Sequence, residues 1–417
     1  MTIHRNQLVA LAGAVERVRR LDMPADAAMS AFFRTHGEMG ARDRAFVSDG
    51  AFAYLRHKAS LEALADTADA RLLAYAVAVR ELGHSVRELE PAINAADARW
   101  LASFKSRLNQ PLAPSVAADV PDWLWHRLGE AYDDAARASL TRAWQQPAPL
   151  DLRANVMKTT RGAALAELSS EGLPVAATPY SPFGVRIQGR PMLARHPWLA
   201  EGRLEVQDEG SQLVGLLVAP RRTDMVVDFC AGAGGKTLLL GAMMRSQGRL
   251  YAFDVSAKRL AKLTPRLARS GLSNVHPQTI ASERDAKIKR LAGKIDRVLV
   301  DAPCTGFGTL RRNPDLKWRQ TPEDLAELSA KQSSILASAA TLVKPGGRLV
   351  YATCSVLPEE NDAIVDAFLA ANPAFAERDV AELLERADIP LDTGTRLRLR
   401  PDVHGCDGFF AAVLERR

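Results

Sequence analysis

The chain has 417 residues, of which 47% are hydrophobic and 25% charged, with a formal net charge of +6. Four cysteines in that length exclude a disulfide framework, and none stand in the CxxC spacing of a zinc site. No apolar stretch reaches the roughly 18 residues of a membrane helix, so the composition predicts a monomer of two or three domains in a reducing cytoplasm, with no membrane partner and no metal.

Met1 to Arg20 has no signal-peptide cleavage pattern and reads as an amphipathic helix. Residues 5–145 continue as helices: Leu8, Leu11, Val15 and Val18 recur at helical spacing, and Arg42–Lys58 and Leu72–Leu82 show similar periods. Pro91, Pro111, Pro114 and Pro121 punctuate the run, and Gln145–Pro149 reads as a hinge. From Leu150 the texture changes to short runs, Leu150–Asn155, Gly184–Ile187 and Leu204–Val206, around one helix at Arg161–Ser170. That is a small α+β module resembling an RNA-recognition motif. From Ser211 strands and helices alternate, the pattern of a parallel sheet with crossover helices. The predicted strands are Met225–Phe229, Leu250–Asp254, His276–Ile280, Arg297–Asp301 and Arg348–Thr353, with an antiparallel pair, Thr395–Arg400 and Gly408–Glu415, closing the edge. Thr321-Pro322-Glu323-Asp324 predicts a helix start: a capping hydroxyl, proline in the first turn, then acids at the positive dipole end. The fold class is α/β, a Rossmann-like sheet with an antiparallel terminal hairpin. Domains are expected at 1–145, 146–210 and 211–417.

The charge is uneven. Residues 1–150 hold 18 Lys+Arg and 18 Asp+Glu, so the whole excess, 37 against 31, lies in 151–417. That fits a nucleic-acid partner, although basic proteins without one also exist.

Val226-Val227-Asp228-Phe229-Cys230-Ala231-Gly232-Ala233-Gly234-Gly235-Lys236-Thr237 is a strand passing through a glycine turn into a helix. Gly235-Lys236-Thr237 resembles the end of a triphosphate-binding loop, but that motif needs glycine at position 230, where Cys230 stands. The three glycines also miss the dinucleotide spacing. A nucleoside cofactor remains. Asp254, ending the next predicted strand, is placed to accept from ribose hydroxyls, or else caps the following helix. S-adenosylmethionine fits best, since an adenosine with a short amino-acid tail needs no phosphate cradle.

Two cysteines follow strand-like runs: Val298-Leu299-Val300-Asp301-Ala302-Pro303-Cys304 and Leu349-Val350-Tyr351-Ala352-Thr353-Cys354. Strand ends of a doubly wound sheet share one crevice, and a thiolate is a strong nucleophile at neutral pH. Carbon methylation of a pyrimidine calls for such a thiol. Cytosine C5 is a poor nucleophile until something adds to C6, a polar group steadies N3, and a base later removes the C5 proton. Cys354, Asp301 and Cys304 could supply those parts. The competing readings are two inert core cysteines or a redox pair; for Cys230 and Cys406 an inert role is at least as good.

At these residues the chain resembles the Sun (Fmu) family of bacterial RNA cytosine-C5 methyltransferases. The blocks that carry the likeness are Asp228–Thr237, Asp301–Cys304 with Arg311–Trp318, Tyr351–Asn361 and Asp407–Phe410, with Glu201-Gly202 and Val206–Glu209 upstream. The resemblance implies a class I methyltransferase sheet, S-adenosylmethionine as cofactor, and RNA, 16S ribosomal RNA first, as partner. It implies Cys354 as nucleophile, Cys304 as the thiol assisting release and Asp301 at N3 of the target base. Cys230, Ala231, Gly232, Gly234, Gly235, Lys236, Asp254, Arg259 and Asp301 would surround the cofactor and target base. Transfer to tRNA cytosine, or a non-catalytic RNA-binding assembly factor, are the alternatives; a DNA cytosine methylase would instead attack with the Pro-Cys thiol, here Cys304. Residues 1–145 resemble the family's helical NusB-like extension, best at Ala41–Val47. Family members often carry an acid after the third strand that contacts adenine, where Ile280-Ala281-Ser282 stands here, so that role would fall to Asp285 or a backbone amide. Arg311, Arg312 and Lys317 read as a phosphate-contacting surface, with Phe307 either stacking on a base or packing.

Overall fold

The computed structural model describes residues 3–189, 191, 193 and 196–417. The chain divides into two compact units: Met1–Pro147 with Thr309–Thr321, and Ala148–Gly308 with Pro322–Arg417.

The first unit is all helical. Its leading helices are α1 (Arg5–Arg19), α2 (Ala25–Thr35), α3 (Ala41–Arg56), α4 (Lys58–Ala65) and α5 (Ala70–Arg80). Leu8, Leu11, Ala14, Val15 and Val18 form one buried stripe on α1, the i, i+3, i+4 pattern of an amphipathic helix. Gly50 on α3 allows close approach there, because a Cβ would stand 2.5 Å from Leu11 Cδ1.

The short segment Thr309–Thr321 belongs to this unit for a physical reason. Asp315 Oδ2 accepts from Ala25 N at the start of α2 (3.2 Å), while Lys317 Nζ and Trp318 Nε1 donate to the Arg56 and Leu55 carbonyls ending α3 (2.8 and 2.7 Å). Helix ends leave such groups without intrahelical partners, and their dipoles favour an anion at the first end and a cation at the second. The single domain expected over 211–417 is therefore interrupted.

The second unit holds two sheets. β1 (Leu150–Ala154), β2 (Val175–Ala177), β3 (Gly184–Ile187) and β4 (Leu204–Val206) form an antiparallel sheet in the order β2-β3-β1-β4, with helix α6 (Arg161–Ser170) between β1 and β2. The larger sheet runs β10-β12-β9-β8-β5-β6-β7, where β5 is Met225–Asp228, β6 Arg249–Asp254, β7 Val275–Thr279, β8 Ile295–Asp301, β9 Val343–Thr353, β10 Phe375–Arg378 and β12 Phe409–Arg416. β11 (Leu397–Leu399) pairs antiparallel with β12, the expected terminal pair, and β10, a strand the sequence reading lacked, pairs with the rest of β12 on the same side, so the two share that edge of the sheet.

Strands β5 to β9 are parallel and covered on both faces, which explains their unbroken apolar runs. Alternate residues feed opposite cores: Val226, Leu299, Val350, Ala411 and Val413 on one face, Val227, Val298, Val300, Leu349, Tyr351, Phe410 and Ala412 on the other. Each buried Val or Leu contributes about 1.5–3 kcal/mol. The order reverses at β5, which pairs with both β6 and β8; ligands of such sheets bind beyond the strand ends at that point.

Candidate functional site

Beyond β5 the chain turns through Phe229–Gly234 into helix α7 (Gly235–Met243). Gly232 and Gly234 have φ of +56° and +84°, and a Cβ on Gly234 would stand 2.2 Å from Leu263 Cδ1. Only glycine satisfies both demands. Buried Arg153 donates to the Gly235 carbonyl (2.8 Å) and Arg266 to that of Ala233 (2.7 Å), fixing the turn from behind. Asp254 ends β6, accepts from Gly232 N (2.8 Å) and Ser256 N (2.7 Å), and has Arg259 Nη1 3.9 Å away. Asp228 lies under the turn, where burial pushes its carboxyl up to about 7 despite the bond from Thr237 Oγ1 (2.6 Å). Its other oxygen, Oδ1, is buried without a partner. Burial and the surrounding carboxylates push the Cys230 thiol up, which keeps it protonated.

Cys304 and Cys354 come together: their sulfurs are 3.4 Å apart. β8 and β9 are adjacent and parallel, so two thiols just beyond their ends share one mouth. The Cys304 thiol is pushed well up, first by its hydrogen bond to Cys354, then by burial and by the charges of Cys354 and Glu360. Within the pair Cys304 therefore holds its proton. Asp301, ending β8, binds Lys236 Nζ (2.7 Å). Burial opposes the Lys236 charge, but Asp301 and Cys354 outweigh it and raise its affinity for the proton. The ammonium also lies 5.0 Å from the Phe409 ring centroid.

Two further residues, which the sequence analysis did not single out, position these thiols. The fully buried Glu360 carboxylate accepts from Thr305 N (2.8 Å), Thr305 Oγ1 (2.5 Å) and Gln332 Nε2 (3.0 Å), and Gln332 also donates to the Pro303 carbonyl (2.9 Å). Both peptides flanking Cys304 are thereby tied down. Asn361 does the same for Cys354, accepting from Thr353 Oγ1 (2.5 Å) and donating to Ser355 O (3.1 Å). Gly308 N donates to the Cys354 carbonyl (2.8 Å), and a Cβ on Gly308 would meet Gly408 O at 2.0 Å.

The expected RNA-contacting group does not form a surface. Phe307 has 0% exposure and cannot stack on a base. Lys317 is 1% exposed, its amine spent on the Arg56 carbonyl and pushed down to about 7 by burial. Arg311 is buried and its carbonyl accepts from Arg56 Nη2 (3.1 Å); Arg312 alone of the four is half-buried. Helix capping, which sequence spacing could not reveal, won over solvent. Asp285 is likewise a cap: it accepts from Ala281 N and Lys287 N, each at 2.8 Å.

A cavity of about 350 Å³ joins the two loops, lined by Phe229, Cys230, Asp254, Asp301, Cys304 and Cys354 among others. The residues present fit S-adenosylmethionine: Asp254 and Asp301 line the cavity as acceptors for polar groups, and Phe229, Val255 and Ile280 offer apolar surface for a ring. Among the described residues, no cluster of metal-ligating side chains occurs and no helix is long and apolar enough to cross a membrane.

Comparison with known proteins agrees with this geometry. Residues 215–415 match the family model described as 16S rRNA methyltransferase RsmB/F, and residues 120–192 match its ferredoxin-like domain. The chain is 35% identical over 297 residues to the "Probable ribosomal RNA small subunit methyltransferase B" of Synechocystis sp., covering 71% of this chain and 66% of that protein. It is 34% identical over 318 residues to the ribosomal RNA small subunit methyltransferase B of Sodalis glossinidius, covering 75% and 70%. The crystal structure of PH0851 superposes with a TM-score of 0.80 at 25% identity, each chain being covered in full.

Proposed function

Because this chain belongs to the RsmB/F family of 16S rRNA methyltransferases, we propose that it transfers a methyl group from S-adenosylmethionine to C5 of a cytosine in small-subunit ribosomal RNA, through a covalent bond from Cys354 to C6. The observation that carries this reading is the 3.4 Å separation of two sulfurs at the mouth of the cofactor cavity. The cofactor supplies an electrophilic methyl on a sulfonium.

The chain's own residues do the rest. Cys354, as thiolate, adds to C6 and drives electron density onto C5. The proton of Cys304 passes to the ring edge near N3, where Asp301, paired with the Lys236 ammonium, is the polar group. Once C5 carries the methyl, the Cys304 thiolate takes the C5 proton, the electron pair of the C5–H bond re-forms the C5–C6 double bond as Cys354 leaves as thiolate, and the N3 proton passes to water as the one proton the overall reaction releases. Glu360 and Asn361 hold both sulfurs where these steps need them. RNA must present the cytosine unstacked to enter such a pocket.

Cys354→Ala is expected to abolish methyl transfer and any adduct, whereas Cys304→Ala keeps addition but blocks release, leaving protein bound to RNA on a denaturing gel. An adduct that survives Cys354→Ala would reverse the two roles.

A further inference from the structure

We propose that the two segments leaving the carboxyl ends of β6 and β7 form the surface that holds the phosphate backbone of the substrate RNA beside the target cytosine; the inference rests on the reading of RNA as substrate. Residues 255–294 contain ten Lys+Arg against two Asp+Glu, a net of +8 that exceeds the +6 of the whole chain. The positive excess of residues 151–417 is thus concentrated in these 40 residues.

Both acids are occupied. Glu283 is buried, accepting from Lys331 Nζ (2.6 Å) and Ser334 Oγ (2.8 Å), and Asp285 is the backbone cap already described. Four of the cations have other places. Arg266 and Arg269 share Glu205, each at 2.9 Å; Arg259 lines the cofactor cavity; Lys294 stands before β8, at the amino end of the sheet. Six remain: Lys258 and Lys262 around helix α8 (Ala257–Ala261), and Arg284, Lys287, Lys289 and Arg290 around helix α9 (Ala286–Lys289). All six are exposed, and among the described residues none makes a salt bridge. A merely solvated face mixes both signs, whereas this one sets up a single-sign field, the footprint of a polyanion.

The position suits the substrate strand. β6 and β7 are adjacent and parallel, so both segments begin on the side of the sheet where the cavity opens and the thiols stand. Lys287 spends one donor on the carbonyl of Thr279, the last residue of β7 (2.7 Å), which fixes its ammonium at that end of the sheet. An ammonium has three donors, so capacity for phosphate remains. From β8 and β9 to β6 and β7 is two to four strand spacings, ~10–19 Å at ~4.8 Å each. A stacked strand advances ~3.4 Å per nucleotide, so the six cations would meet phosphates about three to six nucleotides from the cytosine. They take the role that Arg311 and Lys317, being buried, do not fill.

Filter binding of an oligocytidylate of about 20 nucleotides over a series of salt concentrations tests the surface without any methyl transfer. Each phosphate contact on a single strand contributes about 0.7 to the slope of log K against log salt. The triple variant Lys287→Gln, Lys289→Gln, Arg290→Gln should lower that slope by about 2 and weaken binding at low salt by at least about tenfold. The same loss of charge at the exposed Arg221, Arg222 and Arg249, beside the amino ends of β5 and β6, should leave the slope within about 0.5 of wild type. Calorimetry with S-adenosylhomocysteine reports folding; should the triple variant not fold, Lys258→Gln with Lys262→Gln decides, with an expected drop of about 1.4. A patch variant with the wild-type slope overturns the proposal. So does an equal drop in the control, which would mean that net charge alone attracts the RNA. Wild type that binds no RNA would instead remove the proposed substrate, and this inference with it.

Discussion

The glycine turn after β5 and the thiol loop after β8 open into one cavity, yet the chain fixes them by different means. The turn is set by its own backbone: positive φ at Gly232 and Gly234, with Arg153 and Arg266 holding carbonyls from behind. The thiol loop has no such conformational signature at Cys304. It is held by a buried carboxylate 56 positions downstream, Glu360, through Thr305 and Gln332. The turn's conformation can thus be read within a dozen consecutive residues even though distant arginines brace it, while nothing beside the reactive sulfurs announces the partners that hold them.

Three measurements can break or sharpen that contrast. The largest effect belongs to Asp228, under the glycine turn, whose carboxyl rises from 3.8 to about 7 through burial. The folded protein keeps a proton that the unfolded chain releases. The stabilisation is therefore full below about pH 4, falls by up to ~1.4 kcal/mol per pH unit and is gone above about pH 7, ~4 kcal/mol in total. Asp228→Asn should flatten urea-unfolding stability between pH 5 and pH 7.5; an unchanged slope would show that another group titrates. Next, Glu360→Ala strands the Thr305 N–H and the Gln332 amide in the interior, costing about 2–3 kcal/mol and most of the methylation, with S-adenosylhomocysteine affinity kept within about threefold. A parallel loss of cofactor affinity would mean that the two loops are one structure. The smallest effect concerns Lys317. Lys317→Met should leave the salt slope of RNA binding unchanged, where a phosphate contact would have lowered it by about 1.

The parallel sheet, the glycine turn and the two thiols were legible because each rests on short-range pattern: alternating burial of apolar runs, spacing of glycines, cysteines just beyond strands. β10 was not, since Phe375-Ala376-Glu377-Arg378 is short and half polar. Arg311 and Lys317 read as solvent-facing cations because charge in a loop is normally hydrated; backbone carbonyls at the end of α3, some 260 positions upstream, took Lys317 in. Glu283 and Lys331 lie 48 positions apart, and only the fold makes them neighbours. Nothing in Pro358-Glu359-Glu360-Asn361 tells which acid turns inward.

The interrupted helical unit has a consequence for how the protein is made. Asp315, Lys317 and Trp318 cap helices that leave the ribosome long before them. At about 5–20 residues per second, residues 148–308 take roughly 10–30 s to synthesise. Throughout that interval the first helices wait with two ends unfinished, so a nascent chain halted before residue 309 should be cut by protease at the exposed ends of α2 and α3, and one halted well past residue 321 should resist.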